Sequence, residues 1–236
     1  MTNIIKDDSL ISVIIPVFNG EKYIKAAITS VLSQMKNSLE IVVIDDGSND
    51  YTSTVIQKLM QNHQNIYYKY QENRGVGVAR NYGVEISQGE FLAFLDADDL
   101  WAANKLTIQI NAFKQNPDID IVFGQVEHFI SPDLSTQEAQ RWNYPHKIMP
   151  AYAAGAMLLR RETFNHVGQF SETCEVGQFL DWYLRAIELN LISFLPPDVV
   201  LLRRVHNDNS SQKSKSYWQD YVRIIKSSLD RRRSQF

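Results

Sequence analysis

The sequence contains a single cysteine and has no excess of basic residues. Cys174 has no second cysteine for an intramolecular disulfide, which is typical of proteins from reducing compartments. A net charge of -3 and an isoelectric point near 6.0 argue against nucleic acid as the main partner, since a surface that reads phosphates is usually basic.

Signals for membrane insertion and export are also missing. No apolar run approaches the length needed to cross a bilayer, and residues 1–8 lack the basic start and apolar stretch of a signal peptide. We therefore expect a cytoplasmic protein. The 236 residues, 44% of them hydrophobic and 22% charged, predict one globular domain over residues 1–236.

Two common phosphate-binding motifs are absent. The pattern GxxxxGK[ST] does not occur, and the pair Gly75 and Gly77 lacks the third glycine of GxGxxG because Arg80 occupies its position. A lone GxG is a weak signal. A nucleotidyltransferase is disfavoured as well, because residues 11–19 lack the glycine-rich start with Arg and Lys that such enzymes need.

The most informative segment is residues 90–99, where an apolar run leads directly into Asp96, Asp98 and Asp99. Three carboxylates within four positions repel one another, and a divalent cation bound to a diphosphate would offset that repulsion. A solvated acidic turn that caps the helix predicted from Asn104 is the alternative.

Apolar strands alternate with helical patterns through the first half of the chain. This alternation predicts an α/β fold with a mostly parallel central sheet flanked by helices. Ligand-binding loops of such a sheet gather at the carboxyl ends of the strands, and three of these loops are polar. The predicted strands are 11–17, 41–44, 66–70 and 90–95, and the polar loops are 18–20, 45–50 and 96–99.

The alternation becomes irregular after residue 104. We expect helices at 104–116, 161–167 and 178–189, and strands at 119–130, 154–159, 192–195 and 199–202. The polar segment 131–149 is predicted to be flexible.

Four ordered motifs resemble those of family 2 glycosyltransferases: residues 16–19 (PVFN), 45–48 (DDGS), 73–83 (NRGVGVARNYG) and 96–101 (DADDLW). The resemblance implies the Rossmann-like GT-A fold, a nucleotide-diphosphate sugar donor and inversion at the anomeric carbon. It also implies a nucleotide-binding half at 11–103, an acceptor-binding half at 104–212 and a C-terminal amphipathic basic helix at 213–236.

The resemblance further implies which side chains contact the donor. Asp45 would hydrogen-bond the base, Asp96 the ribose or an outer-sphere water, and Asp98, with Asp96 beside it, would hold Mg²⁺ or Mn²⁺ against the diphosphate. Arg204 and His206, in a segment that resembles the family's late Arg-x-x-His loop, could neutralise diphosphate charge; a solvated basic loop is the alternative. The full predicted set is Pro16, Phe18, Asn19, Glu21, Asp45, Asp46, Arg80, Asp96, Ala97, Asp98, Arg204 and His206.

The chain departs from the family at the general base, which an inverting transfer needs to remove the acceptor proton. Gln178 and Phe179 stand where the family has a Glu-Asp pair. Asp181 is our first candidate for the base and Glu175 the second. The alternative is that Asp181 only pairs with Arg185 four residues later.

Residues 138–142 (EAQRW) resemble the QxxRW of processive polysaccharide synthases, but they start with Glu and precede the base region. We therefore predict non-processive transfer of one sugar to a glycan, lipid-linked or small-molecule acceptor in polysaccharide or glycoconjugate biosynthesis. A sugar-nucleotide-binding protein with impaired catalysis is the alternative.

The last segment carries seven basic and two acidic residues, with an apolar stripe predicted at Tyr217, Tyr221, Ile224, Ile225 and Leu229. Such a helix packs its stripe on the protein body or lies on an anionic membrane, which would make the protein peripheral at the inner membrane face. A homodimer is a further possibility.

Overall fold

The computed structural model describes residues 9–34, 38–141, 148–207 and 217–234. In the first part, strands and helices alternate as predicted. The order is β1 (Ile11–Val17), α1 (Ile24–Leu32), β2 (Leu39–Asp46), α2 (Thr52–Met60), β3 (Ile66–Gln71), α3 (Val76–Ile86) and β4 (Phe91–Phe94).

The second part contains short strands and separate helices. Their order is β5 (Leu100–Trp101), α4 (Lys105–Gln115), β6 (Ile121–Val122), β7 (Gln125–Ile130), α5 (Thr136–Arg141), β8 (Met149–Pro150), β9 (Leu158–Arg160), α6 (Arg161–Val167), α7 (Gln178–Glu188), β10 (Ser193–Phe194), β11 (Val199–Val205) and α8 (Tyr217–Arg233).

Three predictions for this part are corrected by the structure. The strand expected over 119–130 is two strands, because the chain leaves one sheet after β6 and enters another at β7. The strand expected over 154–159 begins as a 3₁₀ turn at Ala154–Ala156. The segment 131–149 contains α5 and the start of β8, while residues 142–147 lie outside the described chain.

The larger sheet has seven strands in the order β10-β6-β9-β4-β1-β2-β3. All its strand pairs are parallel except those that β9 makes with β4 and β6. All seven residues of β1 and all eight of β2 are buried, which explains their continuous apolar runs. The predicted mostly parallel sheet is confirmed.

Gly83 shows why α3 can pack so closely on this sheet. A Cβ atom at this position would lie 2.4 Å from Cγ2 of Ile14 in β1. The glycine therefore permits a helix-to-strand approach that any larger residue would prevent, and α3 holds its N-terminal end near the ends of β1 and β2.

The smaller sheet has the order β5-β11-β7-β8, in which β11 pairs parallel with β7 and antiparallel with β5. Since β5 directly follows the acidic loop 96–99, β11 brings its own carboxyl end beside that loop. None of the helices in the described chain is long and apolar enough to cross a membrane.

Candidate active site

The loops after β1 and β2 are bound to each other. The backbone N–H groups of Asn19 and Gly20 donate to Ser48 Oγ and Thr52 Oγ1, each at 2.8 Å. In return, Asn19 Oδ1 accepts the Asn49 N–H at 2.9 Å. Asn19 has a positive φ of 50°, a conformation that Asn tolerates better than most residues. The two loops thus form one rigid edge.

Glu21 takes part in the same contact. Its Oε2 accepts the Tyr51 N–H at 2.8 Å, and its own N–H donates to Asp50 Oδ2 at 3.0 Å. The side chains of Asn19 and Glu21, both predicted to contact nucleotide, therefore also connect the two loops.

Asp45 lies buried beneath this edge. Its Oδ1 accepts the Ser48 N–H at 2.8 Å and its Oδ2 accepts the Tyr68 hydroxyl at 2.8 Å. Burial, followed by the hydrogen bond to Asp45, raises the pKa of the Tyr68 hydroxyl. Both carboxylate oxygens already accept a hydrogen bond inside the protein. In the predicted contact with a base, one of these oxygens would have to accept a second hydrogen bond.

Asp46 organises the loop before α3. Its Oδ1 accepts the Gln71 side-chain N–H at 2.7 Å and the Arg74 backbone N–H at 2.8 Å, and its Oδ2 accepts the Gly75 N–H at 2.8 Å. Gly75 has a positive φ of 91°, which favours glycine. One buried carboxylate therefore fixes the turn into α3.

A cleft of about 240 Å³ opens where these elements meet. Phe18 lies at its mouth with a half-exposed ring, and Asp46 and Asn73 supply polar groups. Its lining residues are Pro16, Val17, Phe18, Asp46, Asn73, Gly75 and Val76. The sequence had indicated Pro16, Phe18 and Asp46, and the structure adds the loop from Asn73 to Val76.

The acidic loop begins with an ion pair to α3. Arg80 Nη2 donates to Asp96 Oδ1 at 2.6 Å; the arginine side chain is buried and that of Asp96 is partly exposed. The Arg80 guanidinium also lies 5.7 Å from the Phe170 ring centroid. Its Nε has no hydrogen-bond partner in the described part of the chain. A buried cation thus stands beside the first carboxylate of the loop.

The C-terminal end of β11 binds the other residues of this loop. His206 Nε2 lies 2.9 Å from Asp98 Oδ2, and the Tyr23 ring packs against the imidazole with centroids 4.8 Å apart. Arg204 donates its backbone N–H to Asp99 Oδ1 and its Nε to the Asp98 carbonyl oxygen, both at 2.8 Å. The structure therefore brings Asp98, Arg204 and His206 together.

Asp99, which the sequence did not assign to the site, is the most buried acid of the loop. Burial raises the pKa of its carboxyl well above the usual value, and the charges of Asp98 and Asp96 raise it further. The Arg204 N–H opposes that rise. Asp99 thus holds β11 against the loop, while the more exposed Asp96 and Asp98 face outward.

The side chains of the acidic loop could hold a hard divalent cation only if a bound substrate and water supplied the other coordinating oxygens. No group of three or more His, Cys, Asp or Glu side chains able to hold a metal is found among the residues that the structure describes. Mg²⁺ commonly binds one or two carboxylates and takes its other ligands from substrate phosphates and water. The partly exposed carboxylate of Asp98 fits that pattern.

The two candidate bases lie at the start of α7. Asp181 Oδ2 accepts the Arg185 Nε–H at 3.0 Å, and its Oδ1 lies 3.9 Å from Arg231 in α8. The expected pair between Asp181 and Arg185 is confirmed. The predicted catalytic role of Asp181 stays a prediction, but its carboxylate is held between two arginines.

Glu175 lies exposed on the loop before α7, and its carboxylate has no hydrogen-bond partner in the portion of the chain described. Gln178 donates to the carbonyl oxygens of Cys174 and Glu175, both at 2.8 Å, which closes this loop. A Cβ at Gly77, in the first turn of α3, would lie 3.3 Å from Gln178 Cγ. The loop that carries Glu175 therefore adjoins the helix that borders the cleft.

Residues missed from the sequence include Asn73 in the cleft and Tyr23 beside His206. Asn73 precedes the Arg-Gly pair of the third motif, so its place in that motif was a usable signal. Tyr23 directly precedes α1, and nothing in its position in the sequence separates a core residue from a site residue.

Comparisons with known proteins agree with this geometry. Residues 12–171 match the model of the family described as Glycosyl transferase family 2. An uncharacterized glycosyltransferase of Rickettsia typhi is 30% identical over 223 residues, which are 90% of this chain and 69% of that protein.

Two solved structures share the fold. S. aureus TarS 1-349 in complex with UDP-GlcNAc has a TM-score of 0.70 at 20% identity and is matched over 91% of this chain and 65% of its own. The mannosyltransferase PcManGT from Pyrobaculum calidifontis, in complex with GDP-Man and Mn²⁺, has a TM-score of 0.68 at 20% identity over 94% of this chain and 64% of its own. The predicted GT-A fold is confirmed, and the chain spans about two thirds of the length of these proteins.

Proposed function

Because the chain belongs to glycosyl transferase family 2, we propose that it transfers one sugar from a nucleotide-diphosphate sugar to an acceptor hydroxyl, with inversion at the anomeric carbon. The observation that best supports this is the meeting of three strand ends. The carboxyl ends of β1, β2 and β4 carry the cleft and the acidic loop at one edge of the sheet, where open α/β folds bind ligands.

The nucleotide would occupy the cleft. The exposed ring of Phe18 offers a stacking surface for a base, and Asn73 offers hydrogen-bonding groups. Asp46 fixes the Arg74–Gly75 turn through two backbone hydrogen bonds, so the cleft is formed before ligand arrives. Such preformed shape lowers the entropic cost of binding.

The diphosphate would lie toward the acidic loop. Asp98, with Asp96 beside it, would hold Mg²⁺ or Mn²⁺, a cation that stabilises charge developing on the leaving diphosphate when it is bound. Arg80 adds a buried positive charge next to Asp96. Arg204 and His206 hold Asp98 and Asp99 in place from β11.

We infer that Glu175 is a better candidate than Asp181 for the base that removes the acceptor proton, because its carboxylate is more accessible. The Glu175 side chain is exposed on the loop before α7, whereas the Asp181 carboxylate is enclosed by Arg185 and Arg231. The acceptor is proposed to bind residues 104–212, as a glycan, a lipid-linked sugar or a small molecule. Which chains assemble with this one, including a homodimer, stays a prediction.

A sugar-nucleotide-binding protein with impaired catalysis is the second candidate. It is favoured by Gln178, whose amide is bonded to its own loop, and by Phe179, which stacks on Tyr183 with ring centroids 5.8 Å apart. Neither residue can accept a proton from a hydroxyl. An active enzyme therefore has to use a base from another position.

The test is a panel of UDP- and GDP-sugars, each with Mn²⁺, Mg²⁺ or EDTA, in which binding and donor hydrolysis are measured side by side. We expect metal-dependent turnover that Asp98→Asn reduces at least a hundredfold. Binding without turnover for every donor would favour the second candidate. Absence of binding for all donors would contradict both.

The base is tested once a donor is found. Glu175→Gln is expected to lower the transfer rate far more than donor affinity, because an amide cannot remove the acceptor proton. Asp181→Asn is the matched comparison. If Asp181→Asn keeps the full rate, it is not the base, and if Glu175→Gln does so, Glu175 is excluded.

A further inference from the structure

Helix α8 binds the protein body through a mostly polar face. Asp220, Ile224 and Ser228 are buried and lie one turn apart along the helix. Asp220 Oδ2 accepts the Glu175 and Val176 N–H groups at 3.0 and 3.2 Å, and Ser228 Oγ donates to Glu188 Oε1 at 2.6 Å. These contacts attach α8 to α7 and to the loop before it.

The opposite face of α8 is apolar and exposed. Trp218 is 77% exposed, Val222 62%, Ile225 50% and Leu229 46%. Spacings of four, three and four residues place these side chains in one stripe along the helix. The stripe prediction is therefore corrected: Ile224 packs inward, while Tyr221, Ile225 and Leu229 face outward, because the buried polar contacts determine how the helix is rotated.

Basic side chains border this stripe on both sides. At about 100° per residue, Lys226 and Arg233 lie on one side of the stripe and Arg232 on the other. All three are exposed. The acid Asp220 faces the protein, so the outer surface presents apolar groups flanked by positive charge.

We propose that this outer face of α8 binds the surface of an anionic lipid bilayer. A helix with an apolar stripe, a tryptophan and flanking Lys and Arg lies in the plane of such a surface, with its apolar side chains among the acyl chains. The basic residues beside the stripe would then interact favourably with anionic lipid headgroups. The 17 residues of α8 lie on the bilayer and do not cross it.

Charge favours a bilayer over a second copy of this chain. Two copies joined through the stripe would bring Lys226, Arg232 and Arg233 of each helix into the same contact. Asp230 is the one exposed acid described on α8 that could offset them. Like charges along a helical seam oppose pairing, whereas an anionic surface neutralises all of them.

The proposal is tested by co-sedimentation of the whole chain with vesicles of phosphatidylcholine alone or with about one third phosphatidylglycerol. We expect at least tenfold stronger binding to the anionic vesicles, and weaker binding at high salt. The double variant W218S/I225S should lose at least tenfold of that binding. Ile192→Ser, which removes a side chain that is also 50% exposed but lies outside α8, is the matched control and should bind as the unmodified chain does.

Two further measurements keep the result interpretable. Thermal melting of W218S/I225S should match that of the unmodified chain, since both side chains are exposed. Light scattering without lipid should report a monomer for both. Vesicle binding that is absent or unaffected by W218S/I225S would overturn the proposal, and so would a dimer that the double variant dissociates.

Discussion

Asp46→Asn should destabilise the protein more than its conservative chemistry suggests. The buried carboxylate accepts three hydrogen bonds, from the Gln71 side chain and from the backbone of Arg74 and Gly75. Asparagine keeps one acceptor oxygen and places an N–H₂ group opposite a backbone donor. The hydrogen bond from the Gly75 N–H is lost, and the new amide N–H₂ group faces that N–H without an acceptor. The remaining hydrogen bonds no longer involve a charged acceptor and are therefore weaker.

Hydrogen bonds to charged groups contribute about 1.5–3 kcal/mol each, so we expect Asp46→Asn to lower the free energy of unfolding by about 2–4 kcal/mol. That is a large part of a typical stability of about 5–15 kcal/mol. Because the same bonds shape the cleft, binding of UDP or GDP should weaken as well. Urea unfolding followed by circular dichroism measures the first effect and titration calorimetry the second.

Asp118→Asn is the matched control, since Asp118 is exposed and outside the site. It should change stability by less than about 0.5 kcal/mol. If Asp46→Asn is as stable as this control, the three hydrogen bonds do not organise the loop, and the reasoning for a preformed cleft fails.

Three smaller predictions concern Lys105, Asp220 and Gly177. Burial lowers the pKa of Lys105 well below its usual value. Between that lowered pKa and about 10.4 the unfolded chain binds more protons than the folded chain, so the free energy of unfolding should rise with pH over this window. The rise should be absent in Lys105→Met. Although burial opposes it, the Val176 and Glu175 N–H groups lower the pKa of Asp220. The Asp220 carboxylate therefore contributes to the free energy of unfolding above about pH 3.9, and this contribution is lost as pH falls through the folded pKa. In Asp220→Asn the free energy of unfolding should change less with pH in the acidic range. Gly177 has a φ of 79° and its Cβ would lie 2.7 Å from Ile224, so Gly177→Ala should cost about 1–3 kcal/mol in urea unfolding; an unchanged midpoint would contradict this packing.

The first half of the fold could be predicted because strands that are buried on both faces have continuous apolar sequences. β1 begins and ends where the sequence indicated. The split between β6 and β7 could not be predicted in this way. Gly124 lies between them, and a Cβ there would meet Val200 of β11 at 2.5 Å. The change of sheet thus depends on a strand 75 residues later in the chain.

The site was predicted as a set of residues but not as a set of contacts. Asp45 and Asp46 are adjacent in a strand, so their side chains point to opposite faces, and only the structure shows which one lines the cleft. The pair between Asp181 and Arg185 follows from helical spacing, but the approach of Arg231 depends on how α8 packs. Contacts between distant segments are the part that spacing alone does not reveal.

Strand β11 joins the late part of the chain to the acidic loop through Asp99 and Asp98. During synthesis the strands that form the cleft leave the ribosome first, while Arg204 and His206 follow more than a hundred residues after the carboxylates they hold. A nascent chain stopped near residue 190 would already contain every side chain that lines the cleft. It would lack Arg204 and His206, whose hydrogen bonds hold Asp98 and Asp99 in the acidic loop. The cleft and the stabilised acidic turn would thus be completed at different moments of synthesis.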